Sequence, residues 1–127
     1  MGYIRKPIKR DTSKLSISVL KKIKLQEIAA SRYQTETSGI TINNIKIKTD
    51  RESQALITGA ALQAMNDPEY ICRWKTDDGF IELTAENILN AAMMVRTHVQ
   101  ECFNKEEELD KLVEQANTRE AIEKIKW

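Results

Sequence analysis

His98 is the only histidine in the chain, and Glu101 and Cys102 follow it at three and four residues. On a helix those spacings bring an imidazole, a carboxylate and a thiol onto one face, the donor set of a metal site or of a nucleophile with its base. The surrounding pattern favours a plainer use. Val99 and Cys102 fall on a run of apolar positions, so Cys102 reads as a small core residue and His98 as its flank. No second histidine can serve as a base, and no Gly-x-Ser-x-Gly elbow is present. Carboxylates also gather at Asp67-Pro68-Glu69 and Asp77-Asp78-Gly79. Turn chemistry accounts for both, since Asp bonds back to the main chain and Gly supplies a positive φ. A calcium loop would need further oxygen ligands at fixed offsets. Gly39, Gly59 and Gly79 make neither a dinucleotide fingerprint nor a P-loop. Cys72 and Cys102 stand far apart, which fits neither a zinc ribbon nor a disulfide scaffold. The expectation is a protein without catalytic residues, cofactor or metal, made in a reducing cytoplasm.

Charge is the other chemical signal. The whole chain of 127 residues balances 20 basic against 19 acidic side chains. Residues 1–24 hold eight of the basic ones, Arg5, Lys6, Lys9, Arg10, Lys14, Lys21, Lys22 and Lys24, against the single acid Asp11. The rest of the chain is therefore mildly acidic. Residues 1–16 show little periodicity and read as an extended basic arm that orders on a partner, with 17–127 as one domain. Arg5, Lys6, Lys9, Arg10 and Lys14 are the candidate partner contacts in the arm. Such an arm could dock on an acidic protein surface or neutralise phosphates; Tyr3 is its only aromatic for stacking on bases, and nucleic acid is not the favoured partner. At the other end Trp127 either closes the last helix onto the body or anchors a partner, and it joins the candidate contacts. No apolar run reaches the roughly 18 to 20 residues that span a bilayer, so no membrane is expected.

The elements that must carry these residues follow from periodicity. Val19, Leu20, Ile23, Ile28 and Ala29 mark an amphipathic helix from Ser18 to between Arg32 and Thr35. Ile40 to Ile42 and Ile45 to Lys48 flank Asn43-Asn44 as a short hairpin. Thr49 with Glu52 has the form of a capping box opening a helix over 50–65, whose inner face would be Leu56, Gly59, Ala60 and Ala64. Tyr70, Cys72 and Trp74 form one face of a second hairpin, turned at Asp77-Asp78-Gly79. Thr84 caps a long helix with a seam at Ile88, Ala92, Val95, Val99, Cys102, Leu109, Val113 and Ala116. Glu106 interrupts that seam, which predicts a bend at Asn104, a stutter, or a buried ion pair. Thr118 caps a short last helix. The fold class is α+β: two hairpins forming one small antiparallel sheet against amphipathic helices, the last long helix either straight or folded into a helical hairpin.

A set of residues also resembles a small domain family of tailed bacteriophages. They are Ile28-Ala29-Ala30-Ser31-Arg32, Gly39, Lys48-Thr49-Asp50-Arg51 with Gln54 and Gly59, Trp74-Lys75 with Gly79-Phe80, then Thr84-Ala85, Ile88, Val99 and Phe103. The resemblance covers residues 19–125 and brings no catalytic residues with it. It implies a tail-associated protein, a structural component or assembly factor that binds a tail fibre, baseplate or tail-tip partner. Its location would be the virion tail, or the host cytoplasm during assembly. A homo-oligomer is open, because the seam can be satisfied within one chain or between chains. The alternative is a small phage-encoded regulator that grips nucleic acid or a host protein through the basic arm. Among the charged residues, a bridge between Asp50 and Arg32 is expected.

Overall fold

The computed structural model describes residues 13–127. Helix α1 (Ile17–Glu36) opens at Ser16, whose hydroxyl accepts the Val19 N–H at 3.3 Å. Its buried residues are Leu20, Ile28 and Glu36, spaced by eight, a stripe that winds round the helix by about 80° at each step. The last member of that stripe is a carboxylate. Strands β1 (Ile40–Ile42) and β2 (Ile45–Ile47) pair antiparallel, with Ile42 opposite Ile45. Asn43 and Asn44 both take positive φ, 49° and 64°, which is what a two-residue turn matched to strand twist demands.

Helix α2 (Arg51–Asn66) begins one residue later than the capping-box reading expects. Asp50 is its cap, with Oδ2 accepting the Ser53 N–H at 3.2 Å. Thr49 is instead fully buried: its hydroxyl donates to the Glu36 carbonyl at 2.6 Å and accepts the Gly39 N–H at 2.9 Å. It thus bolts the end of α1 to the start of α2. Of the expected inner face of α2, Ala60 and Ala64 face inward and Leu56 and Gly59 do not. Ile57 and Ala64 are buried and Ala60 and Ala61 half-buried, while Leu56 is 59% exposed and a Cβ added at Gly59 meets nothing within 4 Å. Ile57 takes the inward position and joins the buried cluster that α3 completes through Ile88, Ala91, Val95 and Val99.

Strands β3 (Ile71–Thr76) and β4 (Gly79–Thr84) pair antiparallel, with Gly79 at φ +112° closing the turn. The two hairpins do not join into one sheet. Each is a separate two-stranded sheet. They meet through side chains instead: Ile40, Ile42, Ile45, Trp74 and Leu83 all pack against the same buried cluster. That satisfies the apolar faces without a shared backbone ladder.

Helix α3 (Ala85–Gln115) starts at a capping box in which Thr84 Oγ1 accepts the Asn87 N–H at 3.1 Å and Asn87 Oδ1 accepts the Thr84 N–H at 3.2 Å. It runs as one continuous helix through Asn104 and is not folded into a helical hairpin. The ion pair is what lets it: Arg32 Nε meets Glu106 Oε1 at 3.1 Å, so the charged seam position is answered from α1. Helix α4 (Arg119–Glu123) is capped by Thr118 as expected. Two apolar clusters sit along α3. The larger joins Ile47, Ile57, Ala64, Ile88, Ala91, Val95 and Val99; the smaller joins Leu20, Ala116 and Ile122 at the far end. Antiparallel packing of α1 on α3 connects them, as the Lys21 ammonium donating to the Glu114 carbonyl at 2.7 Å shows.

Candidate functional site

A charged knot fixes the three helices beside the site. Glu36 is 0% exposed and its carboxylate accepts Arg32 Nη1 at 2.7 Å, Arg51 Nε at 2.5 Å and Nη2 at 2.9 Å, and Gln54 Nε2 at 2.9 Å. Burial alone would push this carboxyl up, but the hydrogen bonds from Arg51, Gln54 and Arg32 outweigh it and hold the group below its ordinary value. Arg32 in turn lies 4.4 Å over the Phe103 ring, and Arg51 lies 5.7 Å from the Tyr33 ring centre. The bridge expected between Asp50 and Arg32 does not form; Arg32 spends its guanidinium on Glu36 and Glu106. Asp50 is occupied by Ser53, which holds its carboxyl below the ordinary value through the side chain first and the backbone second.

Next to this knot, α2 and β3 stand apart and leave an open groove of about 940 Å³. From α2 it is lined by Glu52, Leu56, Gly59 and Gln63, one stripe at helical spacing. From the hairpin come Tyr70, Cys72, Trp74 and Phe80. Phe80 is 60% exposed, so with Leu56 it puts two large apolar side chains at the mouth. Arg73 and Lys75 form a basic rim, and neither makes an ion pair among the described residues. Lys48 also reaches the rim but is matched with Asp77 at 3.2 Å. The Tyr70 hydroxyl titrates above its ordinary value through its hydrogen bond with the Cys72 thiol, then through burial, so the groove wall stays neutral there.

His98, Glu101 and Cys102 do not converge. His98 Nε2 donates to the Thr35 carbonyl at 3.0 Å, fastening α3 to the end of α1, and Glu101 is exposed. Cys102 is buried, and burial, with the Glu36 and Glu101 charges, pushes its thiol up. Among the described residues no group of three or more His, Cys, Asp or Glu is placed to hold a metal ion, and no helix is long and apolar enough to cross a membrane.

Of the candidate partner contacts, Arg5, Lys6, Lys9 and Arg10 lie outside the described residues. Lys14 is exposed, next to Ser13 and Leu15, whose carbonyls accept Arg119 Nη2 at 3.2 and 3.4 Å. Trp127 is half-buried and closes onto the body: it lines a small pocket with Lys24, Ile28 and Ser31, and the Lys105 ammonium sits 4.5 Å from its ring centre. Those α1 residues are roughly 10 to 20 Å along the helix from its start at 1.5 Å per residue, so Lys14 and Trp127 do not form one surface. The groove was not among the sequence candidates. Its signal is Gly59, a glycine in mid-helix that no turn requires.

The match to known proteins concerns the family alone. No curated protein and no solved structure matches the chain. Residues 19–126, which carry the charged knot, the groove and all of α3, match the domain of unknown function DUF4376, and the chain belongs to that family.

Proposed function

We propose that this protein is a non-catalytic binding module of a bacteriophage tail, a structural component or an assembly factor that docks on a fibre, baseplate or tail-tip protein. The observation that carries the binding reading is the groove, where Leu56 and Phe80 are exposed beside Arg73 and Lys75, which make no ion pair among the described residues. An exposed apolar cleft with a charged rim is the ordinary anatomy of a partner site. The placement in a tail rests on the resemblance of Arg32, Thr49-Asp50-Arg51, Gln54, Trp74-Lys75 and Phe103 to the phage domain. In this reading the charged knot is scaffold: it holds α1, α2 and α3 rigid behind the groove, so little order has to be created on binding.

Quantitative mass spectrometry of purified particles from a phage encoding the chain tests this. A fixed copy number per virion is expected for a structural component, and co-purification with unassembled tail proteins for an assembly factor. Absence from both, together with DNA binding that weakens steeply as salt rises, would replace the proposal with the regulator.

A further inference from the structure

The groove is walled on one side by the edge of a strand rather than by its face. Side chains of one strand alternate between its two faces, so a face contributes every second residue. Here β3 contributes Cys72, Trp74 and Thr76 from its inner face and also Arg73 and Lys75 from its outer face, an unbroken run. Among the described residues β3 pairs only with β4, and no other backbone hydrogen bond reaches residues 71–76. Every second residue of β3 therefore has its N–H and C=O directed away from β4 without a backbone partner among the described residues, on the strand whose residues 72–76 all line the groove. Such an edge is a template for one more strand. The opposite wall is α2, where Gly59 leaves room for an incoming side chain and Leu56 supplies an apolar contact.

We propose that the groove binds an extended acidic segment of a partner protein by strand addition, the segment lying between β3 and α2 as a third strand. The chemistry of the occupant follows from the alternation. Its side chains on the outer face stand beside Arg73 and Lys75, both exposed and without an ion pair among the described residues, so they are carboxylates. Its side chains on the inner face enter over Gly59 between Leu56 and Trp74, so they are apolar. Glu52 marks the helix side of the groove and repels an acid placed there, which keeps the two faces distinct. A six-residue strand such as β3 spans roughly 20 Å, so the recognised segment is about six residues long. This rests on the binding-module reading, but not on the assignment to a tail.

The test uses the full chain and a displayed library of random peptides. Selected peptides should alternate acidic and apolar residues. In a synthetic copy of the selected peptide, N-methylation of successive backbone nitrogens should abolish binding at every second position and leave the others within a few-fold. A Cβ at Gly59 meets nothing within 4 Å, so Gly59→Leu directs its side chain into the groove and should reduce affinity at least tenfold while the protein melts no lower. Arg73→Gln with Lys75→Gln should reduce affinity for the acidic peptide about tenfold; Gln is used because Glu82 stands opposite Arg73 in the hairpin. The proposal is overturned if no peptide is enriched, if Gly59→Leu leaves binding intact, or if the methylation scan shows no alternation. It is also overturned if light scattering shows a dimer that the Gly59→Leu change dissolves, for then a second copy covers the edge. A chain that binds such peptides yet is missing from particles and tail intermediates loses the tail reading alone. One that is held in the virion while its groove ignores them loses this inference alone.

Discussion

Replacing Glu36 with Ala tests whether the charged knot organises the fold. The carboxylate is fully buried and receives three side chains, so its removal leaves two guanidinium groups facing each other without the charge between them. Breaking a buried ion pair in this way costs about 3 to 5 kcal/mol. Arg51 is 56% exposed and can return to water, while Arg32 is 14% exposed but keeps Glu106. Both escapes put the expected loss near the lower end, about 3 kcal/mol. In urea, with a slope of about 1 to 3 kcal/mol/M, that is a midpoint lowered by about 1 to 3 M at unchanged slope. The same residue sets an acid limit. Its folded carboxyl lies below the ordinary value of 4.5, so its contribution is full above that pH and is lost as pH falls through the folded value. The variant should therefore show a flatter loss of stability than the parent as pH falls below 4.5. A Glu36→Ala protein whose urea midpoint barely moves, or whose acid profile matches the parent, would refute the reasoning.

Asp110 should behave in the opposite sense. Its Oδ1 is buried without a partner, and burial, then the Glu106 charge, pushes the carboxyl above its ordinary value; Asp110→Asn should raise stability at pH 7 by up to about 1 kcal/mol in urea melts, and the gain should fade in acid. Gly59→Ala removes a mid-helix glycine where a Cβ meets nothing, so thermal melting should rise by about 3 to 5 °C, for a gain of about 0.8 to 1 kcal/mol. Asp50→Ala deletes the α2 cap and should cost about 1 kcal/mol, with faster amide exchange confined to the first turn of α2. Ile88→Ala opens a cavity at a fully buried position of the larger cluster and should lower stability by about 2 to 5 kcal/mol by chemical denaturation.

Local patterns in the sequence located every element, because each is signalled by neighbours a few residues apart. Asn43-Asn44, Thr84 and Thr118 are short-range devices, and each acts where the pattern puts it. Errors arose where a distant residue competes. Thr49 resembles a cap until Glu36 and Gly39 claim its hydroxyl, leaving Asp50 to cap. Leu56 looks like a core residue by hydropathy, yet one step of the helix decides that Ile57 goes inward. At Glu106 the sequence allows a bend, a stutter or an ion pair and the ion pair forms, but its partner, Arg32, is 74 positions away and is not signalled locally. The groove was the least legible feature, since a gap between two elements leaves no mark on either except the glycine that nothing fills.

Helix α3 lines the larger apolar cluster and its C-cap Ala116 belongs to the smaller one, and this has a consequence during synthesis. The stripe on α1 ends at residue 36, but the α3 positions that cover it extend to Val113. At about 5 to 20 residues per second, the ribosome needs roughly 4 to 16 seconds to make the intervening chain. Throughout that interval Leu20 waits for Ala116 and Ile122, whereas Glu36 already has Arg32 on its own helix and Arg51 and Gln54 from the start of α2. The nascent chain is thus held open at the start of α1 by its own gene order, and any factor that meets it early meets Leu20 bare.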